Sequence, residues 1–318
     1  MDIKELYKPV KDGIELVNFK IKEIFKESYL PKFQDSLLQG KRLRPLLVLY
    51  SSFAFRDLNE EKVHVACAVE LVHFASLIHD DVVDEAKERR RAFTLNYHYG
   101  NHVAVLLGDF VFSKAMEFIS KVRNPDLYEI LSRTSVEMCE GEIIDEFLER
   151  EKRFDLENYL TLIKKKTASL FSASCEMGAL LSGCVDIERM KSFGSKFGLL
   201  FQILDDLHDF YREGEDIKRS KVTLPHILFK DLIREKFPKF FVEENENLSR
   251  KVRIFLIENG VTEKCYGFLD TYFKELKDIT KGFDKTIRDY LYSFIDYLNK
   301  NKIFLFDEKI KGSNPKIS

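Results

Sequence analysis

Three aspartates close one apolar segment of the chain. In "LVHFASLIHDDVVDEAKERRR", Leu71–Arg91, the aspartates are Asp80, Asp81 and Asp84, and three arginines follow them. If residues 66–84 form a helix, successive side chains differ by about 100°. The polar side chains then share one narrow stripe: Glu70, His73, Ser76, Asp80 and Asp84. A surface helix has a broad polar face, so a narrow stripe on an apolar helix is expected to line an internal cavity.

Opposed charge beside an apolar segment can be explained by metal binding. Carboxylates one helical turn apart repel each other by about 3 kcal/mol at an effective dielectric of ~20, and in a semi-enclosed site they need a cation. Oxygen ligands favour a hard ion such as Mg²⁺, which proteins share with substrate phosphates. The alternative is an acidic helix end in water, neutralised by the neighbouring arginines.

A second D-D-x-x-D motif lies about 120 residues further on, and two such motifs that each close an apolar helix are a much stronger signal than one. "FQILDDLHD", residues 201–209, contains Asp205, Asp206 and Asp209 at the end of another apolar helix. Ser195, Gly198 and Gln202 continue its polar stripe. Two such motifs facing each other would hold divalent ions between them, and those ions would bind a diphosphate.

Clustered cationic residues support the same interpretation. "GKRLRP", Gly40–Pro45, supplies Lys41, Arg42 and Arg44 beside a turn, and Arg89 and Arg90 follow the first acidic cluster; of these, Lys41, Arg44, Arg89 and Arg90 are expected at the site. The planar guanidinium group matches phosphate oxygens well. We expect Arg91 to lie on a solvated face.

The composition excludes several classes of protein. The 318 residues carry a net charge of -2, which argues against a nucleic-acid binder with a basic face. Five cysteines without a C-x-x-C pair predict reduced thiols and a cytoplasmic location. The start of the sequence lacks the apolar core of a signal peptide, and no apolar run approaches the ~18 residues of a transmembrane segment.

The patterning predicts an all-α fold. Glycine and proline are few, and no proline lies between Pro125 and Pro225. Apolar residues in that interval recur at three- and four-residue spacing, which predicts long helices, about ten or more in the whole chain. We expect one domain over residues 1–310 and a flexible tail over residues 311–318.

The motifs between Gly40 and Pro225 resemble those of the trans-type polyprenyl diphosphate synthases, in the same order. They are "GKRLRP", "ELVHFASLIHDDVVDEAKERRR", "NYHYGNHVAVLLGDFVFSKA", "CEGEIID", "KKKTASLF", "FQILDDLHDF" and "KVTLP". The resemblance implies a bundle of long helices around a deep central cavity, usually in a homodimer. It also implies head-to-tail condensation of isopentenyl diphosphate with an allylic diphosphate such as farnesyl or geranylgeranyl diphosphate.

The resemblance assigns roles to individual residues. An allylic diphosphate would lie on about three Mg²⁺ ions. The implied metal residues are Asp80, Asp84 and Asp205, with Asp81, Asp206 and Asp209 as further ligands or as supports of the ligands. Arg89, Lys166 and Lys221 would hold the same diphosphate, and Lys41, Arg44, His73 and Arg90 would bind isopentenyl diphosphate. Thr167 and Gln202 would stabilise the allylic cation through their oxygen dipoles, although Gln202 could instead only bond a neighbouring helix.

Product length depends on what lies below the diphosphate. The positions five and four residues before Asp80 are Ala75 and Ser76, with Val72 a turn deeper. Short-chain members tend to have an aromatic floor there, so these small residues favour a long product of roughly C30 to C50, growing along a helix with ~1.5 Å rise per residue. Leu131 or Phe110 could supply a floor from another helix.

Three departures from the family pattern stand out. Arg91 replaces a glycine, and "GEIIDE" has Asp145 or Glu146 near an expected glutamine. The segment after Asp209 is short and lacks the family's Gly-Lys, for which Arg212 or Lys218 could substitute.

Other functions remain open at this point. A short-chain farnesyl or geranylgeranyl diphosphate synthase would use the same motifs. A class I terpene cyclase shares the first acidic motif but needs no "GKRLRP", and a non-catalytic partner subunit is expected to lose an acidic cluster. An HD-type metal phosphohydrolase could use His73, His79 and Asp80 but leaves the second cluster without a role. Because the product is a lipid, the enzyme could contact a membrane transiently during release.

Overall fold

The computed structural model describes residues 3–26, 40–89, 92–183, 186–212, 222–243 and 245–312, with residues 212 and 303–312 described by their backbone alone. Within these ranges the chain is almost wholly helical, which confirms the all-α prediction. The helices are α1 Ile3–Tyr7, α2 Lys11–Lys26, α3 Leu43–Ser51, α4 Glu60–Val83, α5 Leu95–Tyr99, α6 Asn101–Ser120, α7 Pro125–Glu151, α8 Leu156–Ile163, α9 Ser169–Ser182, α10 Ile187–Arg212, α11 Leu224–Leu228, α12 Lys230–Lys236, α13 Glu246–Glu258, α14 Val261–Thr280 and α15 Lys285–Gly312. A 3₁₀ turn, Lys8–Val10, precedes α2, and a π turn, Lys164–Ala168, joins α8 to α9.

Two short strands interrupt the helices. β1, Glu88–Arg89, pairs antiparallel with β2, Ala92–Phe93. The sequence patterns did not predict this hairpin, because two-residue strands carry no readable alternation of polar and apolar side chains. It follows the first acidic cluster directly and therefore fixes the position of Arg89.

The chain forms two compact units. The first, called the N-terminal unit, contains residues 2–136 and 170–194; the second, the C-terminal unit, contains residues 137–169 and 195–318. The single domain expected over residues 1–310 stays a prediction. The backbone of α15 continues to Gly312, so the predicted tail begins inside a helix, and residues 313–318 lie outside the described ranges.

Helix α4 is the core of the N-terminal unit. It packs on α2, α3 and α6, and its apolar side chains lie buried on nearly every side. Asn59 caps it by accepting a 3.0 Å hydrogen bond from the Lys62 amide, so the helix begins at Glu60, six residues before the predicted start at residue 66. Among the described helices, α4 alone has the length and composition to cross a membrane, but 67% of its apolar stretch is buried inside the protein.

The C-terminal unit is built from amphipathic helices. Helices α13 and α14 each bury one apolar stripe, which contains Val252, Leu256, Leu269 and Phe273. Phe197 of α10 meets Phe294 of α15 edge to face, with ring centroids 5.8 Å apart. This packing holds α10, whose C-terminal end carries the second acidic cluster.

Candidate active site

The first acidic cluster lies at the C-terminal end of α4. Asp80 is half-buried in the last turn, Asp81 is buried, and Asp84 is exposed as the C-cap residue. The negative end of the helix dipole disfavours carboxylates at this position. The cluster therefore needs cations, from the protein or from a ligand.

Asp81 obtains its cation from the hairpin. Arg89 Nε donates a 2.7 Å hydrogen bond to Asp81 Oδ1, and Asp81 is only 7% exposed. The pair ties β1 to the end of α4. Arg89, predicted to bind diphosphate, thus lies beside the acidic cluster with its guanidinium partly exposed.

Asn96 fixes the backbone between α4 and the hairpin. Its Nδ2 donates to the carbonyls of Asp81 and Ala86, both at 3.0 Å. Thr94 Oγ1 also donates to the Ala86 carbonyl. These bonds hold Asp84 in place within a loop, and neither residue was identified from the sequence, because an asparagine or threonine near a helix start usually serves as a cap.

Glu70, at the N-terminal end of the polar stripe, forms a buried ion pair. Glu70 accepts a 2.9 Å hydrogen bond from Arg42 Nη1, and both side chains are 3% exposed. Arg42 Nε also donates to Asn18 Oδ1, and its guanidinium stacks 5.0 Å from the Phe74 ring centroid. The prediction that Glu70 lines a cavity is wrong, since Arg42 neutralises this carboxylate within the core of the N-terminal unit.

The other two cations of "GKRLRP" differ in exposure. Lys41 is exposed, and its carbonyl accepts a 3.0 Å hydrogen bond from the Tyr7 hydroxyl. Arg44, in the first turn of α3, stacks its guanidinium 4.3 Å from the Phe171 ring centroid. Stacking orients the planar cation while its edge remains able to donate.

The middle of the polar stripe on α4 carries His73 and Ser76, and His79 lies on the same helix but outside the stripe. His73 and Ser76 are half-buried, and Ser76 Oγ donates to the His73 carbonyl at 2.9 Å. His79 Nε2 lies 3.4 Å from Asp109 Oδ1 of α6. Val72 and Ala75, on the same turns, are buried at 3% and 2% exposure. A surface pair thus engages His79, whereas His73 remains the histidine of the candidate site.

The second acidic cluster repeats the arrangement of the first. On α10, Asp205 is exposed, Asp206 is 9% exposed and Asp209 is half-buried. In each motif the second aspartate is buried and bonded to protein, whereas the first is accessible to solvent. The two motifs therefore share a pattern of exposure along the sequence.

A hydrogen-bond chain anchors Asp206. Tyr159 Oη donates to Asp206 Oδ2 at 2.7 Å, and Gln202 Nε2 donates to Asp206 Oδ1 at 2.7 Å. Thr167 Oγ1 donates to Gln202 Oε1, also at 2.7 Å. The carboxylate can only accept, so it fixes which end of the Gln202 amide faces it. Gln202 thus bonds a neighbouring segment through Thr167, and its role in stabilising the allylic cation stays a prediction.

The π turn places Lys166 against α7. Gly141 permits the approach, because a Cβ atom at this position would lie 2.5 Å from the Lys166 amide nitrogen. Lys166 Nζ donates to Glu142 Oε1 at 2.8 Å and to Asp145 Oδ2 at 2.9 Å. Isolated π turns within helices frequently mark functional positions. Asp145, one of the two candidates for the departure from the family pattern, is thus the carboxylate that contacts Lys166.

Several predicted residues lie outside the described ranges. They are Arg90, Arg91, Lys218 and Lys221. Arg212 is described by its backbone alone, at the end of α10. Tyr159 is the main residue that the sequence analysis missed, because a tyrosine on an apolar helix is usually a core residue.

A scan against models of protein families matches residues 27–249 to "Polyprenyl synthetase". The chain belongs to the polyprenyl synthetase family. It is accordingly an enzyme that transfers prenyl groups, and the resemblance noted from the motifs is confirmed. The match includes both acidic clusters, the π turn and the hairpin.

Individual relatives agree with this assignment. The chain is 38% identical to the heptaprenyl diphosphate synthase component 2 of Geobacillus stearothermophilus over 242 residues, which are 71% of this chain and 75% of that protein. It is 38% identical to a short chain isoprenyl diphosphate synthase of Methanocaldococcus jannaschii over 200 residues, 58% of this chain and 61% of that one. A polyprenyl synthase structure from Caulobacter crescentus, described as complexed with calcium and isoprenyl diphosphate, superposes with a TM-score of 0.84 at 28% identity, covering 93% of this chain and 97% of that one.

The donor atoms of both clusters fit a divalent cation that is shared with substrate. Within the described ranges, no three carboxylate, imidazole or thiol side chains converge to hold a metal ion by themselves. Magnesium commonly takes one or two carboxylates and completes its shell with water and phosphate oxygens. The accessible Asp80, Asp84 and Asp205 meet that requirement.

Proposed function

We propose that the protein elongates an allylic diphosphate, farnesyl or geranylgeranyl, by head-to-tail condensation with isopentenyl diphosphate to give a long-chain polyprenyl diphosphate. The observation that carries the proposal is the repeated exposure pattern of the two acidic motifs. In each, a buried aspartate is tied to the protein and an adjacent aspartate at the end of an apolar helix is accessible to ligand. That pattern suits the binding of a diphosphate near the C-terminal end of an apolar helix.

In this proposal Asp80, Asp84 and Asp205 hold Mg²⁺, and Asp81, Asp206 and Asp209 support them or complete the shell. When bound, about three such ions supply the positive charge that stabilises a departing diphosphate. Arg89, Lys166 and Lys221 bind the same diphosphate, of which Lys221 lies outside the described ranges.

The remaining residues of the chain bind, orient and exclude water. Lys41, Arg44, His73 and Arg90 bind isopentenyl diphosphate, Arg90 again lying outside the described ranges. The oxygen dipoles of Thr167 and Gln202 stabilise developing positive charge on the allyl group. Val72 and Ala75 are buried and apolar, and such walls keep water from capturing a cation. The diphosphate that is released accepts the proton.

A long product is the chain length that the α4 residues favour. Ala75 is small, and the Ser76 hydroxyl turns back to its own helix, so neither provides an aromatic floor. We therefore propose a product of roughly C30 to C50. A chain of that length needs an opening along several turns of α4, whose rise is ~1.5 Å per residue. Leu131, buried on α7, and Phe110, half-buried on α6, remain the alternative floors.

Self-association as a homodimer is proposed from the outer face of α6. Val103 and Leu106, one helical turn apart on this face, are 38% and 69% exposed. Exposed apolar patches on soluble proteins usually mark interfaces. The Geobacillus relative is named as one component of its enzyme, whereas this chain carries both acidic clusters and is proposed to act with a second copy of itself. We place the enzyme in the cytoplasm, with transient membrane contact for product release.

The decisive experiment uses purified protein, Mg²⁺, farnesyl diphosphate and labelled isopentenyl diphosphate. Incorporated label in dephosphorylated products of roughly C30 or longer supports the proposal, with each added unit contributing five carbons to a chain that must fit the cavity. Products of roughly C20 or shorter would contradict the long-chain proposal and make the protein a short-chain synthase. Release of diphosphate from geranylgeranyl diphosphate alone would favour a cyclase, and chelation of Mg²⁺ should abolish turnover.

A further inference from the structure

Lys166 of the C-terminal unit lies between two carboxylates. Its Nζ donates to Glu142 Oε1 at 2.8 Å and to Asp145 Oδ2 at 2.9 Å. The side chains of the lysine, the glutamate and the aspartate are 25%, 24% and 14% exposed, respectively. One cation between two anions leaves a net negative charge beside a lysine to which the proposed function assigns a diphosphate.

The arrangement is built by backbone packing. Gly141 lets the π turn approach α7 so closely that a Cβ there would lie 2.5 Å from the Lys166 amide nitrogen. Glu142 and Asp145 are one and four residues after Gly141 and therefore face the same turn. The preceding residue, Lys165, pairs with a different carboxylate: its Nζ lies 2.6 Å from Glu140 Oε2. The packing of the backbone therefore positions both carboxylates beside Lys166.

We propose that Asp145, together with Glu142, competes with diphosphate for Lys166 and so weakens the retention of pyrophosphate. The inference rests on the proposed function of Lys166 as a diphosphate ligand. An ammonium group has three hydrogens to donate, so a bound diphosphate must displace or share at least one carboxylate contact. Asp145 is thus a residue that sets diphosphate affinity by acting through Lys166.

Position 145 carries an aspartate and not the glutamine of the family pattern. The family pattern has a glutamine near this position, and an amide could bond Lys166 without a negative charge. A carboxylate forms a stronger, charge-assisted contact with the ammonium group. The aspartate therefore makes Lys166 less available to an incoming anion than the amide would.

The test measures binding of inorganic pyrophosphate by titration calorimetry in the presence of Mg²⁺. Asp145→Gln should bind pyrophosphate about two- to fivefold more tightly than the unsubstituted protein, the worth of one partly exposed ion pair. KM for the allylic diphosphate should fall in the same proportion. Glu146→Gln is the matched control, because Glu146 is exposed, carries the same charge one residue away and approaches Arg150 at 4.0 Å. Its pyrophosphate affinity should not change.

A double-variant cycle separates competition for Lys166 from simple loss of negative charge. In a Lys166→Met background, Asp145→Gln should no longer tighten pyrophosphate binding, because the shared ammonium group is gone. Equal tightening with and without Lys166 would overturn the proposed competition. Circular dichroism and the melting temperature verify the fold, and Asp145→Asn, which preserves the side-chain length, serves as the second variant if Asp145→Gln unfolds.

The possible failures can be told apart. Unchanged or weaker pyrophosphate affinity in both folded Asp145 variants, with condensation activity intact, would overturn this inference and leave the proposed function standing. No pyrophosphate binding and no condensation by the unsubstituted protein would overturn both.

Discussion

The Tyr159 hydroxyl of α8 donates a 2.7 Å hydrogen bond to Asp206 of α10, across 47 residues of sequence. The other carboxylate oxygen accepts from Gln202, so both oxygens of this buried aspartate are bonded within the C-terminal unit. Asp206 therefore supports the second acidic cluster, while its neighbour Asp205 is exposed to ligand.

Tyr159→Phe should destabilise the protein and slow turnover together. The substitution leaves one oxygen of a buried carboxylate without this donor, which costs about 1–3 kcal/mol in the free energy of unfolding. Loss of the anchor should also let Asp205 shift, raising the Mg²⁺ concentration needed for half-maximal rate. Urea unfolding and a Mg²⁺ titration of the rate measure the two effects. Tyr128→Phe, at an exposed tyrosine of α7, should change neither, and normal behaviour of Tyr159→Phe would show that Asp206 does not depend on this bond.

Asp80→Asn and Asp205→Asn should each reduce turnover by about three orders of magnitude, since each removes a proposed metal ligand. The melting temperature of Asp80→Asn, in the last turn of α4, should stay equal or rise slightly. The reason is that a carboxylate near the C-terminal end of a helix opposes the helix dipole, at a cost of about 0.3–1 kcal/mol. Steady-state rates and thermal melts check both parts. Asp231→Asn, at an exposed position of the first turn of α12, is the control that should keep full activity. Near-normal turnover in either cluster variant would remove the metal assignment.

The sequence predicted the helical class and the two acidic motifs because both are local patterns. Apolar spacing identifies a buried helix such as α4, and the D-D-x-x-D spacing places accessible carboxylates on one face. The same periodicity wrongly predicted that Glu70 lines a cavity, because helical phase gives the direction of a side chain but not the residues that it contacts. Its partner Arg42 lies 28 residues away in sequence, in a segment that was itself expected to serve phosphate binding.

Residues that act over long sequence separations could not be predicted. Tyr159 meets Asp206 only because α8, the π turn and α10 pack in one unit. The π turn itself depends on the close approach that Gly141 permits, which no single-residue propensity encodes. Asp145 was noted as a departure from the family pattern, but its contact with Lys166 required the structure. The relation between the two acidic clusters stays a prediction.

Ser76→Phe should shorten the product. Ser76 is half-buried on the stripe of α4 and four residues before Asp80, so an aromatic ring there would stand about one helical turn, ~6 Å, below the diphosphate. The measurement is the length distribution of dephosphorylated products at equal conversion. Ser132→Phe, at an exposed position of α7, should leave the distribution unchanged. An unchanged distribution in Ser76→Phe would move the floor to another helix, with Leu131 and Phe110 as the next positions to substitute.

His226 should make the stability of the protein sensitive to mild acid. Burial lowers the pKa of this imidazole from 6.5 to about 4, while its Nδ1 accepts a 3.2 Å hydrogen bond from the Thr223 amide and its ring stacks on Phe240. The unfolded chain therefore binds a proton between pH 6.5 and about 4 that the folded chain does not. The contribution is fully present above pH 6.5 and is lost as the pH falls toward 4, amounting to about 3 kcal/mol at most.

His226→Gln replaces the titrating group with an uncharged acceptor, so the free energy of unfolding of the variant should be lower at pH 7.5. Between pH 6.5 and 4.5 it should fall less steeply than that of the unsubstituted protein. The two slopes should differ by about 1.4 kcal/mol per pH unit within that window. Urea unfolding at half-unit pH steps measures both slopes. The two proteins differ only at position 226, so the contributions of all other groups cancel in the difference. His102→Gln, at an exposed histidine of α6, should follow the unsubstituted protein at every pH. Parallel curves for His226→Gln and the unsubstituted protein would show that His226 takes up its proton without leaving the folded core.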